Sequence, residues 1–190
     1  MPDPRPLPAL PPAPLDRAAL LAHLDACGFD TRTVDHPAVF TVAESYTVRD
    51  RIAAGMGPER AGAHTKNLFL RDRKNNHFLV TAEQNSAVDL KRLHKVIGGA
   101  SRFSFGKPQE MERWLGVSPG SVTAFGVVND RGGDVRFVLD ANLLAHEWIH
   151  CHPLTNEATT AIRRDDLVAL AARCGHEPLV ADLSGAGLEA

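Results

Sequence analysis

The sequence has 190 residues, of which 44% are hydrophobic and 23% charged, and its formal net charge is −2. This length predicts one soluble globular domain, because it is enough for one buried core and short for two. The slight negative charge argues against a protein that coats nucleic acid through bulk electrostatics, but it leaves room for a local basic patch.

The cysteines and the N-terminus show no signal for export. Cys27, Cys151 and Cys174 are odd in number and far apart, so neither a disulfide framework nor a cysteine-rich zinc site is indicated. The first residues lack a basic start followed by an apolar core, and no apolar run approaches the roughly 20 residues that cross a bilayer. The sequence therefore predicts a cytoplasmic protein with no membrane contact.

The N-terminal third is predicted to contain a tail and two helices. Residues 1–14 are rich in proline and are expected to be disordered, so that the folded domain spans residues 15–185. Apolar residues at helical spacing predict a helix over 15–27, with Gly28 as its C-terminal cap, and a second helix over 42–54. A short strand over 31–35 lies between them.

Two apolar runs predict a hairpin that carries Lys66 and Asn67 at its mouth. Leu68–Leu70 and Phe78–Thr81 are separated by the polar residues 72–77. A lysine held by a rigid strand can direct its ammonium at a phosphate or a polarised carbonyl. The alternative is a surface lysine with no such role.

A helix over residues 86–97 is predicted next, and it contains a basic set. Lys91, Arg92 and Lys95 either form a solvated helix face or a patch that faces RNA phosphates. The following elements are a strand over 102–105 and a helix over 109–115.

The second half of the chain is expected to be mostly strands. The apolar runs 122–128 and 135–139 predict a hairpin, and they are followed by a strand over 159–162, a helix over 165–174 and a strand over 179–183. Helices and hairpins that are mixed without regular βαβ alternation predict an α+β fold. We expect a single domain with a curved, largely antiparallel sheet.

The loop Gly116-Val-Ser-Pro-Gly-Ser precedes the first of these apolar runs. Its two glycines and its proline are compatible with a simple tight turn. They are also compatible with a backbone that a ligand can approach closely, so that N–H groups contact an ester oxygen.

His146-Glu147-Trp148-Ile149-His150 matches the His-Glu-x-x-His pattern of zinc hydrolases. On a helix the two histidines would share one face and the glutamate would activate water. Pro153 stops a helix directly after the motif, and a third ligand would have to come from an unmarked residue such as His176 or Asp182. Both points count against a zinc site, which stays open as an alternative.

Three motifs together resemble a known family. His64-Thr-Lys-Asn-Leu-Phe-Leu, Gly116-Val-Ser-Pro-Gly-Ser-Val-Thr and His152-Pro-Leu-Thr-Asn-Glu-Ala-Thr-Thr are similar to signatures of the YbaK/ProRS-associated editing domains. The resemblance covers residues 16–183 and is nearest to the free-standing proteins that hydrolyse alanyl-tRNA(Pro). It implies a barrel-like mixed sheet with surrounding helices and an aminoacyl-tRNA deacylase that needs no cofactor or metal. It also implies an extended segment over residues 148–152, on which the two histidines of the His-Glu-x-x-His pattern would not share a helix face.

The resemblance also implies roles for particular residues. Lys66 and Gly120 are the expected catalytic residues, and the basic set Lys91, Arg92 and Lys95 is expected to bind tRNA. The family proline four residues after Gly120 is replaced here by Ala124. The expected substrate-binding residues are Asn67, Ser118, Pro119, Ser121, His152, Pro153 and Asn156.

The expected partner is the acceptor end of mischarged tRNA(Pro), with prolyl-tRNA synthetase as a further candidate. The absence of a Ser-His-Asp or Cys-His pattern suits a mechanism without a covalent intermediate, in which the substrate's own ribose hydroxyl assists the water. Three alternatives stay open: removal of cysteine or serine, a zinc hydrolase centred on His146 and His150, and a non-catalytic module that binds tRNA or protein.

Overall fold

An eight-stranded mixed sheet forms the centre of the protein in a computed structural model, which describes residues 7–184. The helices are α1 (Arg17–Ala26), α2 (Val42–Met56), α3 (Leu93–Ile97), α4 (Pro108–Leu115) and α5 (Arg164–Arg173). The strands are β1 (Thr31–Asp35), β2 (Ala63–Arg71), β3 (His77–Glu83), β4 (Ser104–Phe105), β5 (Val135–Asp140), β6 (Trp148–Cys151), β7 (Ala158–Arg163) and β8 (Leu179–Ala181).

The sheet combines hairpins with crossovers. Its strand order is β1-β7-β6-β2-β3-β5-β8, and β4 pairs with β2 outside this path. Among the described strands the pairs β2–β6, β3–β5 and β5–β8 are parallel, and the other four pairs are antiparallel. The predicted α+β fold with a mixed sheet is confirmed.

The sheet is covered on both faces, as alternate residues of β3 demonstrate. Leu79 packs into the main core with α1 and α5, whereas Phe78 and Val80 pack against α3 on the opposite face. Since neither face of β3 meets water, its centre Phe78-Leu79-Val80 is a continuous apolar run and does not alternate. A third cluster joins α2 to β6 and β7.

Two helices begin with side-chain caps. The Asp16 carboxylate accepts from the Ala19 amide at 2.8 Å, and the Thr41 hydroxyl accepts from the Glu44 amide at 3.1 Å. Both satisfy a backbone donor that has no partner within its helix. None of the described helices has the length and apolarity needed to cross a membrane.

The predicted helix over 86–97 is wrong for its first seven residues. Only Leu93–Ile97 is helical. The Ser86 hydroxyl bonds to Asp140 at 2.6 Å, and the Asp89 carboxylate accepts from the Lys91 amide at 2.9 Å. These side-chain bonds compete with helical pairing, and the segment forms successive turns.

The predicted strand over 122–128 is also wrong. Ala124–Val128 is a 3-10 turn in which all five residues are buried, and β5 pairs with β3 and β8 instead. The Thr123 hydroxyl accepts from the Phe125 amide at 3.3 Å and starts the turn. Periodicity alone cannot separate a short buried strand from a buried helical segment.

The proline-rich segment is described from residue 7 onward. Leu10 packs against the main core, Arg131 donates to the Pro11 carbonyl at 2.7 Å, and Arg173 donates to the Leu7 carbonyl at 3.3 Å. Residues 1–6 of the predicted disordered tail, and residue 185 of the predicted domain, lie outside the described residues.

The buried side chain of Asn129 connects the residue range before α1 with the end of α4, and its removal provides a test of the fold. The Asn129 side chain accepts from the Leu15 amide at 2.6 Å and donates to the Leu15 and Leu115 carbonyls at 3.1 and 3.0 Å. Asn129→Ala leaves these backbone groups without partners, so we expect the free energy of unfolding to fall by about 3 kcal/mol in urea titrations.

Gln109→Ala, which removes an exposed amide from α4, serves as the control and should change stability by less than about 0.5 kcal/mol. Equal stability of the two variants would contradict the structural role of Asn129.

Candidate active site

A cavity of about 350 Å³ opens between β2 and the segment that leads into α2. Four residues that the sequence predicted as site residues line it, namely Lys66, Asn67, Gly120 and His152. The other lining residues are Val39, Phe40, Thr41, Val42, Ser45, Thr65, Leu68, Gln84 and Val122. The fold thus brings residues from five separate parts of the chain to one place.

Lys66 is the only charged residue among the described residues that line this cavity. It lies opposite Ala82 in the β2–β3 pair, and its ammonium donates to the backbone carbonyl of Ser86. A lysine ammonium has three N–H donors, so two are left for a ligand.

Asn67 is held by the neighbouring strand. Its side-chain oxygen accepts from the Thr81 hydroxyl at 2.7 Å, and its side-chain nitrogen lies 3.4 Å from the Thr65 hydroxyl. The amide is therefore fixed in orientation beside Lys66.

Gly120 adopts a backbone conformation that favours glycine. Its φ angle is +90°, and a Cβ atom at this position would lie 2.8 Å from Cδ1 of Phe40. The absence of a side chain allows the Phe40 ring to close one wall of the cavity. Phe40 itself is 66% exposed.

The remaining predicted substrate-binding residues do not line the cavity. Ser118 and Ser121 close a turn through an amide-to-carbonyl bond of 3.0 Å, with exposed Pro119 between them. Asn156 donates to the Val39 carbonyl at 3.3 Å, and the Val39 amide donates to the Asn156 carbonyl at 3.2 Å. Pro153 is buried behind His152.

His152 has one ring nitrogen that can accept a hydrogen bond. Its Nδ1 lies 3.0 Å from the Ala158 carbonyl, which can only accept, so Nδ1 carries the proton and Nε2 holds a lone pair. Burial lowers the pKa of this ring, an effect that the bond to Ala158 opposes in part. The imidazole is therefore neutral at pH 7.

A chamber of about 30 Å³ adjoins the cavity and is surrounded by four histidines, His36, His64, His150 and His152. His150 Nε2 donates to the Arg60 carbonyl at 2.9 Å, which leaves Nδ1 to accept from His64 Nε2 at 3.4 Å. Burial lowers the pKa of His64 to about 4, and the charges of His150, Arg49 and His152 act in the same direction.

Sequence reasoning missed several cavity residues. Gln84 donates to the Ser45 hydroxyl at 2.7 Å, and this bond links the end of β3 to α2 across the cavity. Phe40, which also lines the cavity, and His36, which lines the adjoining chamber, were missed as well. Each of these residues lies in a loop or a turn outside the three sequence motifs, so no local pattern marks it.

The basic set lies away from the cavity. Lys91, Arg92 and Lys95 are exposed on the turns and the short helix that follow Gln84, and none of them lines the cavity. Their role in tRNA binding stays a prediction.

The His-Glu-x-x-His segment does not form a zinc-hydrolase helix. Trp148–Cys151 is β6, which confirms the predicted extended conformation. His146 is exposed, Glu147 pairs with Arg163, and His150 is buried against Arg60. Among residues 7–184 no three histidine, cysteine or acidic side chains converge on a possible metal site.

A larger cavity of about 680 Å³ lies at the start of β3 and β5. His77, Trp114 and Arg136 are among its lining residues. It contains none of the predicted site residues.

Comparison with known proteins identifies the family. The model of the aminoacyl-tRNA editing domain matches residues 36–170, a range that includes every residue lining the cavity around Lys66. The chain belongs to the YbaK/ProX family of aminoacyl-tRNA editing domains.

Individual relatives of this editing domain agree with the assignment. A prolyl-tRNA synthetase associated domain-containing protein 1 from Bos taurus is 36% identical over 168 residues, covering 86% of this chain and 93% of the relative. The prolyl-tRNA editing protein ProX of Acetoanaerobium sticklandii is 32% identical over 152 residues, covering 80% and 87%.

Solved structures show the same fold. The crystal structure of a candidate trans-editing enzyme for prolyl tRNA synthetase matches with a TM-score of 0.61 at 20% identity, covering 90% of this chain and 99% of the other. A second match, hypothetical protein APE2540, has a TM-score of 0.60 at 15% identity, covering 85% and 97%.

The neutral histidines make the stability of the editing domain depend on pH. A histidine whose pKa falls from 6.5 to about 4 on folding binds protons more readily in the unfolded chain. Stability is therefore complete above pH 6.5 and is lost as the pH falls toward 4. Between pH 7 and pH 5, His64 should account for a loss of about 2 kcal/mol in the free energy of unfolding.

Urea unfolding of wild type and His64→Gln at pH 7, 6 and 5 measures this loss. We expect a shallower pH dependence for the variant, and an unchanged one for His146→Gln, whose histidine is exposed. Identical slopes for wild type and His64→Gln would contradict a buried neutral His64.

Proposed function

We propose that this editing domain is an aminoacyl-tRNA deacylase that acts in trans and removes alanine from mischarged tRNA(Pro). The observation that carries the proposal is the cavity in which Lys66 is the only charged residue of the described lining and retains two free N–H donors. The names of the ProX and synthetase-associated relatives support tRNA(Pro) as the tRNA.

The cavity suits the end of an aminoacyl-tRNA. A volume of about 350 Å³ is at the lower end of the range for small-molecule sites, and it fits an alanyl ester with its ribose. We propose that the Lys66 ammonium binds the terminal phosphate or the developing oxyanion. An aminoacyl ester is activated, so fixing the carbonyl and stabilising the oxyanion account for the catalysis we propose.

His152 is proposed to orient the amino acid. Its neutral ring offers the Nε2 lone pair to the α-amino group of alanine, and its position between the cavity and the chamber lets it limit the size of the amino-acid side chain. The attacking water is assisted by the free hydroxyl of the substrate's own ribose, in keeping with a site that has no charged base among its described lining residues.

The cavity mouth offers aromatic surfaces for the terminal base. Phe40 and Tyr46 are 66% and 50% exposed, and the Arg49 guanidinium lies 4.1 Å from the centre of the Tyr46 ring. Tyr46 also bonds to Asn85, next to the cavity residue Gln84. With the ester inside, the terminal base lies at this mouth, where stacking contributes about 1–3 kcal/mol per base.

The proposal is tested by alanyl-tRNA(Pro) deacylation by wild type and Lys66→Ala, each with and without a chelator. We expect wild type to be active in both conditions and Lys66→Ala to lose at least about 100-fold in kcat/KM, as when an oxyanion donor is removed. Lys74→Ala, which removes an exposed lysine from the far end of the same hairpin, is the matched control and should retain wild-type activity.

An inactive wild type would exclude alanyl-tRNA(Pro) as the substrate. Seryl- and cysteinyl-tRNA(Pro) in the same assay would then identify another editing specificity. Activity lost on chelation and restored by zinc would favour metal catalysis. We also propose that the protein binds prolyl-tRNA synthetase. A separate binding measurement with the two purified proteins tests this.

His152→Ala tests the selectivity of the site. A wall that excludes the proline ring discriminates by steric clash, whereas an apolar pocket gains only about 1–3 kcal/mol per methylene. We therefore expect the ratio of alanyl- to prolyl-tRNA(Pro) deacylation to fall at least about 10-fold in the variant.

His146→Ala changes an exposed histidine on the neighbouring segment and should keep the wild-type ratio. If His152→Ala keeps both the wild-type rate and the wild-type ratio, the amino-acid pocket lies elsewhere.

A further inference from the structure

Asp140 is a fully buried carboxylate at the end of β5, close to the turn that follows β3. Its solvent exposure is 0%. Oδ2 accepts from the Ser86 hydroxyl at 2.6 Å and from the Glu83 amide at 3.1 Å. Oδ1 accepts from the amide and side-chain nitrogens of Asn142, both at 3.1 Å, and from the Leu183 amide at 3.4 Å. A buried carboxylate with five donors is a strong constraint on the segments that supply them.

The segment fixed most directly is the turn Glu83–Ser86. The Ser86 amide donates to the Glu83 carbonyl at 3.0 Å and closes the turn, while Asp140 holds both of its ends. The Ser86 carbonyl is then directed at the cavity side of β2. It accepts from the Lys66 ammonium and from the Val88 amide, the latter at 3.1 Å.

We propose that Ser86 and Asp140 are positioning residues for Lys66. Asp140 orients Ser86 through its hydroxyl, and the Ser86 carbonyl holds the Lys66 ammonium at the cavity wall. Neither Asp140 nor Ser86 lines the cavity, so both act through Lys66 and not on the substrate.

The physical need for such a device follows from the lysine side chain. Its four-carbon stem has many rotamers, so an ammonium without a partner would occupy the required position for only a small part of the time. A misplacement of about 1 Å in a catalytic group can cost roughly 100-fold in rate. A carbonyl fixed by a buried carboxylate confines the ammonium before the substrate arrives.

The hydroxyl of Ser86 is the point at which this arrangement can be tested. Ser86→Ala removes the bond to Asp140 but keeps the backbone carbonyl, so Lys66 retains a partner whose position is no longer fixed. We expect kcat/KM for deacylation to fall about 10-fold, the effect of losing one hydrogen bond to a charged group. The KM for the aminoacyl-tRNA should change less than kcat, because the oxyanion that Lys66 is proposed to stabilise carries its full charge only in the transition state.

A double-mutant cycle separates positioning from general stability. Single-turnover rates with enzyme in excess are measured for wild type, Ser86→Ala, Lys66→Ala and the double variant. If Ser86 acts through Lys66, adding Ser86→Ala to Lys66→Ala changes the rate by less than about twofold. The same 10-fold loss in both backgrounds would overturn the proposal, as would a wild-type rate for Ser86→Ala.

Asp140→Asn tests the role of the Asp140 carboxylate, and Asp72→Asn, which changes another buried carboxylate, is its control. Asp72 is 3% exposed and accepts from Lys74, Asn76 and Ala100 at the opposite end of the hairpin. Both variants should lower Tm, but only Asp140→Asn should lower kcat/KM after correction for the folded fraction. An equal loss of kcat/KM in both would overturn the role of Asp140. If Asp140→Asn does not fold, the cycle with Ser86→Ala decides.

The inference rests on the proposed function, and the two can fail separately. The wild-type rate on alanyl-tRNA(Pro) tests the function alone. If wild type is inactive, the binding of 3′-alanylamino-3′-deoxyadenosine, an ester analogue that is not hydrolysed, is measured for the same variants by calorimetry. Ser86→Ala should then weaken binding in the wild-type background and leave it unchanged in the Lys66→Ala background. Equal affinity of wild type and Ser86→Ala would overturn the positioning role.

Discussion

The pairing of β2 on both of its edges is the constraint on which the site depends. β2 pairs antiparallel with β3 from Thr65↔Glu83 to Arg71↔His77, and its first residues pair in parallel with β6. Because β3 pairs directly with Lys66 and Asn67, and β6 and β4 pair with the two ends of β2 on its other edge, this backbone has little freedom to shift. The same register places the turn after β3 beside Lys66, so the carbonyl that receives the ammonium is brought there by the sheet itself.

The side chains around Lys66 are polar, but almost none of them is charged. His64, His150 and His152 each have a lowered pKa, chiefly because burial disfavours the protonated ring. Neutral rings neither repel the Lys66 ammonium nor compete for an anionic group. In a site partly removed from water, the field of one ammonium is screened less than it would be at the surface. This arrangement suits a reaction that develops negative charge on a carbonyl oxygen.

The two wrong element predictions share a cause with the missed site residues. The segment 86–92 has helical spacing, but Ser86 finds a partner in Asp140, which is 54 positions away. The run 122–128 is apolar enough for a strand, yet β3 already has β2 and β5 on its two edges. Both outcomes depend on which distant residues compete for the same backbone and side-chain groups, and local patterns do not contain that information.

The sequence by itself determined the α+β class, the hairpin of β2 and β3, and the motifs around Lys66 and His152 that identify the family. These follow from local periodicity and from residue order, which are properties of the chain alone. Only the tertiary structure decided that Lys66, Asn67, Gly120 and His152 share one cavity, whereas the other predicted substrate-binding residues do not line it and the basic set lies away from it. It also decided that Asp140 reaches Ser86, because such contacts form only when the sheet packs and unpaired buried groups must find partners.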